Sequence, residues 1–389
     1  MTLLLKPTVI TIAILTAFSL TPNKKSPQIL ETEKQVPVKP NKKIQAAVLL
    51  DVSNSMDGLI EQAKAQLWNM VSVMGKAKCD EVTPDIEIAL YEYGRSNNDV
   101  TKGYVKQISP FTSDLDQLSQ KLFALTTNGG DEYCGQVIYT SLNDLAWDNN
   151  SASYKVIFIA GNEDFLQGNL LYTKACDEAK RKNVIVNTIY CGDRIQGIRE
   201  HWNLNAECGN GSFTNINQDA KIEDIPTPYD SVIFALNDKL NATYVRYGAE
   251  GEVASATQAK MDKLNYESNK SAAVKRVTVK GKKELYKNNK WDLVDAAADD
   301  KDFVTKVDVK TLPDSLKNKS RQEIKKIVEK KSAERLQVQK EIESTNTKRE
   351  SWLAAEKVKR ANNNNAATLE TEIEKIIKFQ AKRYNMVIQ

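Results

Sequence analysis

The chain has 389 residues, 41% of them hydrophobic and few of them aromatic, which is enough for one sizeable core plus further segments. Its 55 Lys and Arg against 51 Asp and Glu leave a net charge of only +4, which excludes the strongly basic balance of a nucleic-acid-binding protein. Five cysteines with no CxxC pair and a single histidine, His201, exclude a Cys/His zinc site.

In chain order, Lys6 followed by the apolar run 8–20 and the polar exit at Asn23-Lys-Lys25 has the layout of a signal peptide over residues 1–21. The run is short for a membrane span. The nearest small-x-small site, Ala17-Phe-Ser19, lies inside the apolar stretch, so an uncleaved N-terminal anchor is the other reading. Residues 22–43, rich in Pro, Lys, Gln and Glu, predict a flexible linker. Beyond it, strands are predicted at 44–50, 86–91, 104–108, 154–160, 184–190 and 211–216. Between them, helical spacing covers 58–73, 115–125, 135–145, 170–182 and 198–206. The 154–160 run is almost continuously apolar, as expected of a strand buried on both faces. Alternating strands and helices predict a doubly wound, mostly parallel α/β sheet over 44–217, with ligands at the carboxyl ends of the strands.

From residue 218 to 319 the pattern changes to a helix over 226–249 and a small ordered patch, two short strands near 277–280 and 291–295. Residues 320–360 form a long, charged, thinly apolar helix. After a break at 362–365, residues 368–384 form a last helix, so the tail reads as a charged helical hairpin or coiled coil. It is either an interaction arm or a solvated appendage. On this reading residues 43–248 fold without it.

The residues with chemistry to offer are Asp51-Val-Ser53-Asn-Ser55, where the first strand ends. One carboxylate and two small hydroxyls at the mouth of a sheet suit a hard divalent cation, Mg²⁺ or Mn²⁺. The same residues also suit a turn that merely caps a helix.

With this motif in that place, residues 44–217 resemble a von Willebrand factor type A (VWA) domain, Asp51-x-Ser53-x-Ser55 matching the first loop of its metal-ion-dependent adhesion site. The phrases Tyr91-Glu-Tyr-Gly94 and Ile189-Tyr-Cys-Gly192 are similar to a branch of exported bacterial VWA proteins. The resemblance implies an adhesion or partner-binding role, with a second loop supplying a Thr and a third an Asp. Here both loops depart from the pattern. Asp131 stands where the Thr is expected, and Gly161 where the Asp is expected. A swap of the acid between loops makes Asp51, Ser53, Ser55 and Asp131 the metal ligands. Thr127, Glu132, Asn162 and Glu163 then stand as outer contributors, direct or through water. The alternative is a degenerate site.

Two direct carboxylates leave little positive charge on the ion, so the unidentified protein partner is expected to offer a weakly held acidic group or a neutral oxygen. No nucleic-acid partner is expected. Location in the periplasm or cell envelope, with envelope association, follows from the N-terminal segment. A non-catalytic binding module is the leading reading. A structural envelope protein with a lost metal site is the next, and a metal-dependent hydrolase the third. The hydrolase reading is weak because an aspartyl phosphatase needs a second Asp where Ser53 stands, and no phosphate-binding GxxxxGK[ST] loop occurs. From the direction of the strands, disulfides are expected between Cys134 and Cys191 at the metal end and between Cys79 and Cys208 at the other, with mid-helix Cys176 left as a buried thiol, unless all five thiols are reduced.

Overall fold

A computed structural model describes residues 42–79, 81–220, 224–360 and 368–388. The signal segment, nearly all of the linker and the break at 362–365 lie outside the described residues. Among those described, no helix is long and apolar enough to cross a membrane.

The elements are β1 (Lys43–Asp51), α1 (Asp57–Met74), β2 (Ala77–Lys78), β3 (Asp85–Tyr93), β4 (Lys106–Thr112), α2 (Leu115–Phe123), α3 (Cys134–Asp144), β5 (Tyr154–Gly161), α4 (Tyr172–Lys182), β6 (Ile185–Cys191), α5 (Arg194–Arg199), α6 (Trp202–Cys208) and β7 (Phe213–Ile216). There follow α7 (Asp230–Asn241), α8 (Gly251–Ser268), α9 (Lys270–Lys280), α10 (Leu293–Asp299), α11 (Phe303–Lys306), α12 (Asp314–Lys317), α13 (Arg321–Arg360), α14 (Leu369–Ala381) and β8 (Val387–Ile388).

Six strands form one sheet in the order β4-β3-β1-β5-β6-β7. Every pairing is parallel except that of edge strand β4 with β3. The fold is therefore the expected doubly wound α/β sheet with a helical C-terminal region. All eight residues of β5 are buried, as their continuous apolar run requires. One face of the sheet packs Leu50, Ile88 and Phe158 against Leu59, Trp68 and Val71 of α1. The other packs Leu49, Tyr91 and Ile159 against Val137 and Ile138 of α3 and Ala175 of α4. Strand order reverses at β1, which has β3 on one side and β5 on the other, so the carboxyl ends of β1 and β5 flank a natural crevice.

The segment 198–206 is two short helices, broken at His201, which takes a left-handed φ of +63°. Residues 277–280 are the end of α9 and not a strand. Asn269 caps that helix on Ala272, and Val274 and Val277, three apart, face one cluster with Ile233 and Leu236 of α7. Asp292 likewise caps α10 through the Asp295 N–H, leaving only an isolated bridge to Arg246 of the second predicted strand.

The tail helices are not each other's main partners. The 40-residue α13 packs on α7, α9, α10 and α11, whereas α14 packs on α1. Arg335 of α13 reaches Asp292 at 2.7 Å and Asp295 at 2.6 Å and lies over the Tyr244 ring. Leu369, Ile373, Ile376 and Ile377 of α14 share a cluster with the sheet and α1. Gln380 bonds Tyr154 and Asn187 in the buried interior, and β8 pairs with β2. Residues 43–248 alone would leave that face open.

The cysteines pair differently from expectation. Cys176 of α4 is joined to Cys208 of α6, Cα atoms 5.6 Å apart, and Cys79, Cys134 and Cys191 are buried free thiols. Cys134 and Cys191 do both lie at the carboxyl end of the sheet, but on opposite faces, Cys134 packed with α3 and Cys191 with α1. Cys79 is likewise in the α1-side cluster, while α6, which carries Cys208, packs with α4 across the sheet.

Candidate functional site

Asp51 is the last residue of β1 and is wholly buried. One carboxylate oxygen, Oδ1, accepts the Ser53 backbone N–H at 2.8 Å, and the other, Oδ2, is buried without a hydrogen-bond partner. A buried carboxylate oxygen with no donor is costly and calls for an explanation. Burial pushes the Asp51 pKa up to about 7, against the pull of the Ser53 hydrogen bonds and with repulsion from Glu163. The Ser53 and Ser55 hydroxyls are 3.4 Å apart, Ser53 buried and Ser55 exposed, so the pair points from the interior toward solvent. Asn162, after β5, donates to the Ser55 hydroxyl at 3.3 Å, and its own Oδ1 is buried and unpartnered.

The second loop is held against the first by backbone hydrogen bonds. Asn128 N–H donates to the Val52 carbonyl at 2.8 Å, and Ser96 N–H to the Gly129 carbonyl at 2.8 Å. That seating turns Glu132, not Asp131, toward Asp51. Asp131 is exposed and accepts the Tyr133 hydroxyl at 3.2 Å. Glu132 is buried, and burial followed by repulsion from Asp51, Glu163 and Asp131 raises its pKa to about 8. The two carboxyl side chains converge over Gly94: a Cβ there would lie 2.9 Å from both Asp51 Oδ1 and Glu132 Cγ. Gly94 also has a φ of +81°, so this turn has two reasons for glycine.

Of the residues singled out from sequence, Asp51, Ser53, Ser55, Glu132 and Asn162 come together. Thr127 does not join them, because its hydroxyl donates to Asp57 at the start of α1. The Glu163 side chain is exposed, and its carbonyl accepts the Trp202 indole N–H at 2.8 Å. Gly161 leaves room for Tyr93, whose hydroxyl would lie 2.4 Å from a Cβ at 161 and donates to the Ala160 carbonyl at 2.9 Å. The tyrosine thus fills space beside the position where the resemblance puts a third-loop Asp. In the sequence, Tyr93 and Gly94 stand out only within the phrase Tyr91-Glu-Tyr-Gly94. The pairing of a large buried side chain with a small residue across β3 and β5 was the signal available.

Among the described residues, no group of three or more His, Cys, Asp and Glu side chains is placed to hold a metal. A cation at this end would be held by two carboxylates and neutral oxygens, a set that suits a hard ion.

No family model matches the chain, and no curated protein matches it in sequence. Solved structures to which it is similar include the VWA domain from Catenulispora acidiphila, at 11% identity and a TM-score of 0.35, over 45% of this chain and 39% of that one. Another is proximal thread matrix protein 1 from the mussel byssus, with a zinc-occupied MIDAS motif, at 12% identity and a TM-score of 0.35, over 45% and 42%. A third is an aerotolerance-related membrane protein from Bacteroides fragilis, at 15% identity and a TM-score of 0.32, over 45% and 93%. The chain thus spans less than half the length of the first two.

Proposed function

We propose that this VWA-type domain is a non-catalytic, exported binding module that holds one divalent cation, Mg²⁺ or Mn²⁺, and presents it to a protein partner. Asp51, Glu132, Ser53 and Ser55 are the residues placed to contribute oxygens, with Asn162 steadying Ser55. The single observation that carries this reading is the buried, unpartnered Oδ2 of Asp51 beside a second buried carboxylate and two hydroxyls. A divalent ion would supply the positive charge that burial of both acids demands.

Two carboxylates neutralise such an ion, so the partner's contribution at the metal is best a neutral oxygen, an amide carbonyl or a hydroxyl. Export rests on the basic start and short apolar run of the N-terminal segment.

The test is thermal unfolding in Mg²⁺, Mn²⁺ and EDTA. Binding to the folded state alone stabilises by about 2.7 kcal/mol at a hundredfold excess of ion over its dissociation constant. Wild type is expected to melt several degrees higher with ion and Glu132→Gln to lose that gain. Equal melting with and without ion would refute the reading.

A further inference from the structure

Around Asp51 and Glu132, the loops at the carboxyl end of the sheet add Asp57, Asp131, Glu163, Asp164, Asp193 and Glu200, all exposed or half-buried. Three of them are close enough to act on one group: Glu200, Glu163 and Asp193 all repel the ionised form of Tyr190 at the end of β6. Cations are scarcer at this end. Arg95 is committed to Glu92 and the Thr126 carbonyl, which leaves Lys102, Lys174, Arg199 and Arg194, the last lying over the Phe213 ring, as the exposed cations among the described residues here. One divalent ion does not reverse that balance.

The same end carries four exposed aliphatic side chains. Leu166 and Leu171, in the loop after β5, and Ile195 and Ile198, in α5, are exposed by 44–66%. Loop and helices are one unit: Phe165 N–H donates to the Glu200 carbonyl at 2.9 Å, and His201 Nδ1 pairs with Asp164 Oδ1 at 3.0 Å. Ile195 and Ile198 are three residues apart and share a helix face, while Gly197 between them is buried against Tyr190. The buried, unpartnered Asp51 Oδ2 lies beneath the same rim and is independent evidence that this end receives something.

We propose that this rim docks a partner segment that is both cationic and aliphatic. Its Lys or Arg side chains meet the ring of acids, and its Leu-like side chains cover Leu166, Leu171, Ile195 and Ile198. An acidic segment is disfavoured, because it would bring like charges together across the rim. The inference rests on reading this end as the binding face, and it needs no metal ion.

The experiment uses the full chain and three short labelled peptides: alternating Lys and Leu, alternating Glu and Leu, and alternating Lys and Ser. Fluorescence anisotropy is read in Mg²⁺ and in EDTA. The Lys/Leu peptide is expected to bind tightest, with the other two weaker by about tenfold or more. The double variant Leu166→Ser, Ile198→Ser and the double variant Glu163→Gln, Asp164→Asn should each weaken it by about tenfold, and added salt should weaken it further. Leu166, Ile198 and Glu163 are exposed, and at the half-buried position 164 the amide oxygen of Asn keeps an acceptor for the Leu166 N–H and for His201, so both variants are expected to fold. Equal or tighter binding of the Glu/Leu peptide would overturn the proposal, as would unchanged Lys/Leu binding by both variants. Peptide binding that persists without any Mg²⁺-dependent stabilisation would refute the metal reading alone. Intact stabilisation without peptide binding would refute only this one.

Discussion

Asp51 and Asp292 are both wholly buried aspartates, and their surroundings differ in one respect. Asp292, where the helical region begins to pack on itself, accepts the Val245 N–H at 2.6 Å, the Asp295 N–H at 3.0 Å and the Arg335 guanidinium at 2.7 Å. In Asp51, Oδ1 accepts the Ser53 N–H while Oδ2 is bare, and its charged neighbour Glu163 is another acid. The same contrast holds more widely. Arg276 bonds Asp116 and Asp262, and Lys280 bonds Asp262 from a fully buried position. Burial works against the charge of Asp262, yet Lys280 and Arg276 hold its pKa below the ordinary carboxylate range. In the helical region buried charge is a structural joint, complete within the chain. At the sheet end buried charge is incomplete within the chain, which is the condition for binding something from outside.

The comparison breaks most visibly at Arg335. Arg335→Met leaves Asp292 and Asp295 without their cation and should cost about 3–5 kcal/mol in urea unfolding. A change below about 1 kcal/mol would mean the joint is dispensable. Asp51→Asn should act with the opposite sign in EDTA. The folded pKa of Asp51 is raised from 3.8 to about 7. The stability linked to its protonated form is therefore full below the ordinary carboxylate pKa and is lost as pH rises through about 7. Metal-free wild type should lose stability between about pH 4 and pH 7, on the order of 3 kcal/mol from this group, and Asp51→Asn should flatten that slope. A metal-free melting profile that is level over this range in wild type would contradict the missing-partner reading.

A smaller effect is expected where a neutral joint ties the tail to the sheet. Gln380 donates to Asn187 Oδ1 at 2.6 Å and accepts from Tyr154 and Asn187 at 2.9 and 3.1 Å. Gln380→Ala orphans buried partners and should cost about 1–3 kcal/mol by chemical denaturation. The smallest effect sharpens the assignment of the second acid. Asp131→Ala should shift stability by less than about 0.5 kcal/mol and leave Mg²⁺ binding by calorimetry within about twofold, since its carboxylate faces solvent. Loss of Mg²⁺ binding in Asp131→Ala but not in Glu132→Gln would restore Asp131 to the site.

The sheet was legible because its strands announce themselves twice, as apolar runs and by the helices between them. Asp51 was legible because an acid ending such a run has few structural uses. Three features were not. Whether Asp131 or Glu132 turns inward depends on how the Gly129-Gly130 turn seats against Val52 and Ser96, a tertiary contact that adjacent acids in a sequence do not reveal. The β-branched run Val277-Thr-Val279 reads locally as a strand, but packing on α7 makes it helix. The disulfide depends on which face of the sheet each helix covers, whereas strand direction reports only which end a cysteine occupies.

The seating of α14 has a consequence for how the chain comes into being. Its first residue, Leu369, hydrogen-bonds through its N–H to Gln62, 307 positions earlier, and its apolar face completes the cluster begun by β1 and α1. As the polypeptide emerges from the ribosome, β1 and α1 are made well before α14 and must wait for it. Closing so long a loop is slow, and until it closes that face of the sheet keeps its apolar side chains in water. Until α14 docks, β1 and α1 hold only part of the packing they have in the finished fold, so this side of the sheet closes later than the side covered by α3 and α4.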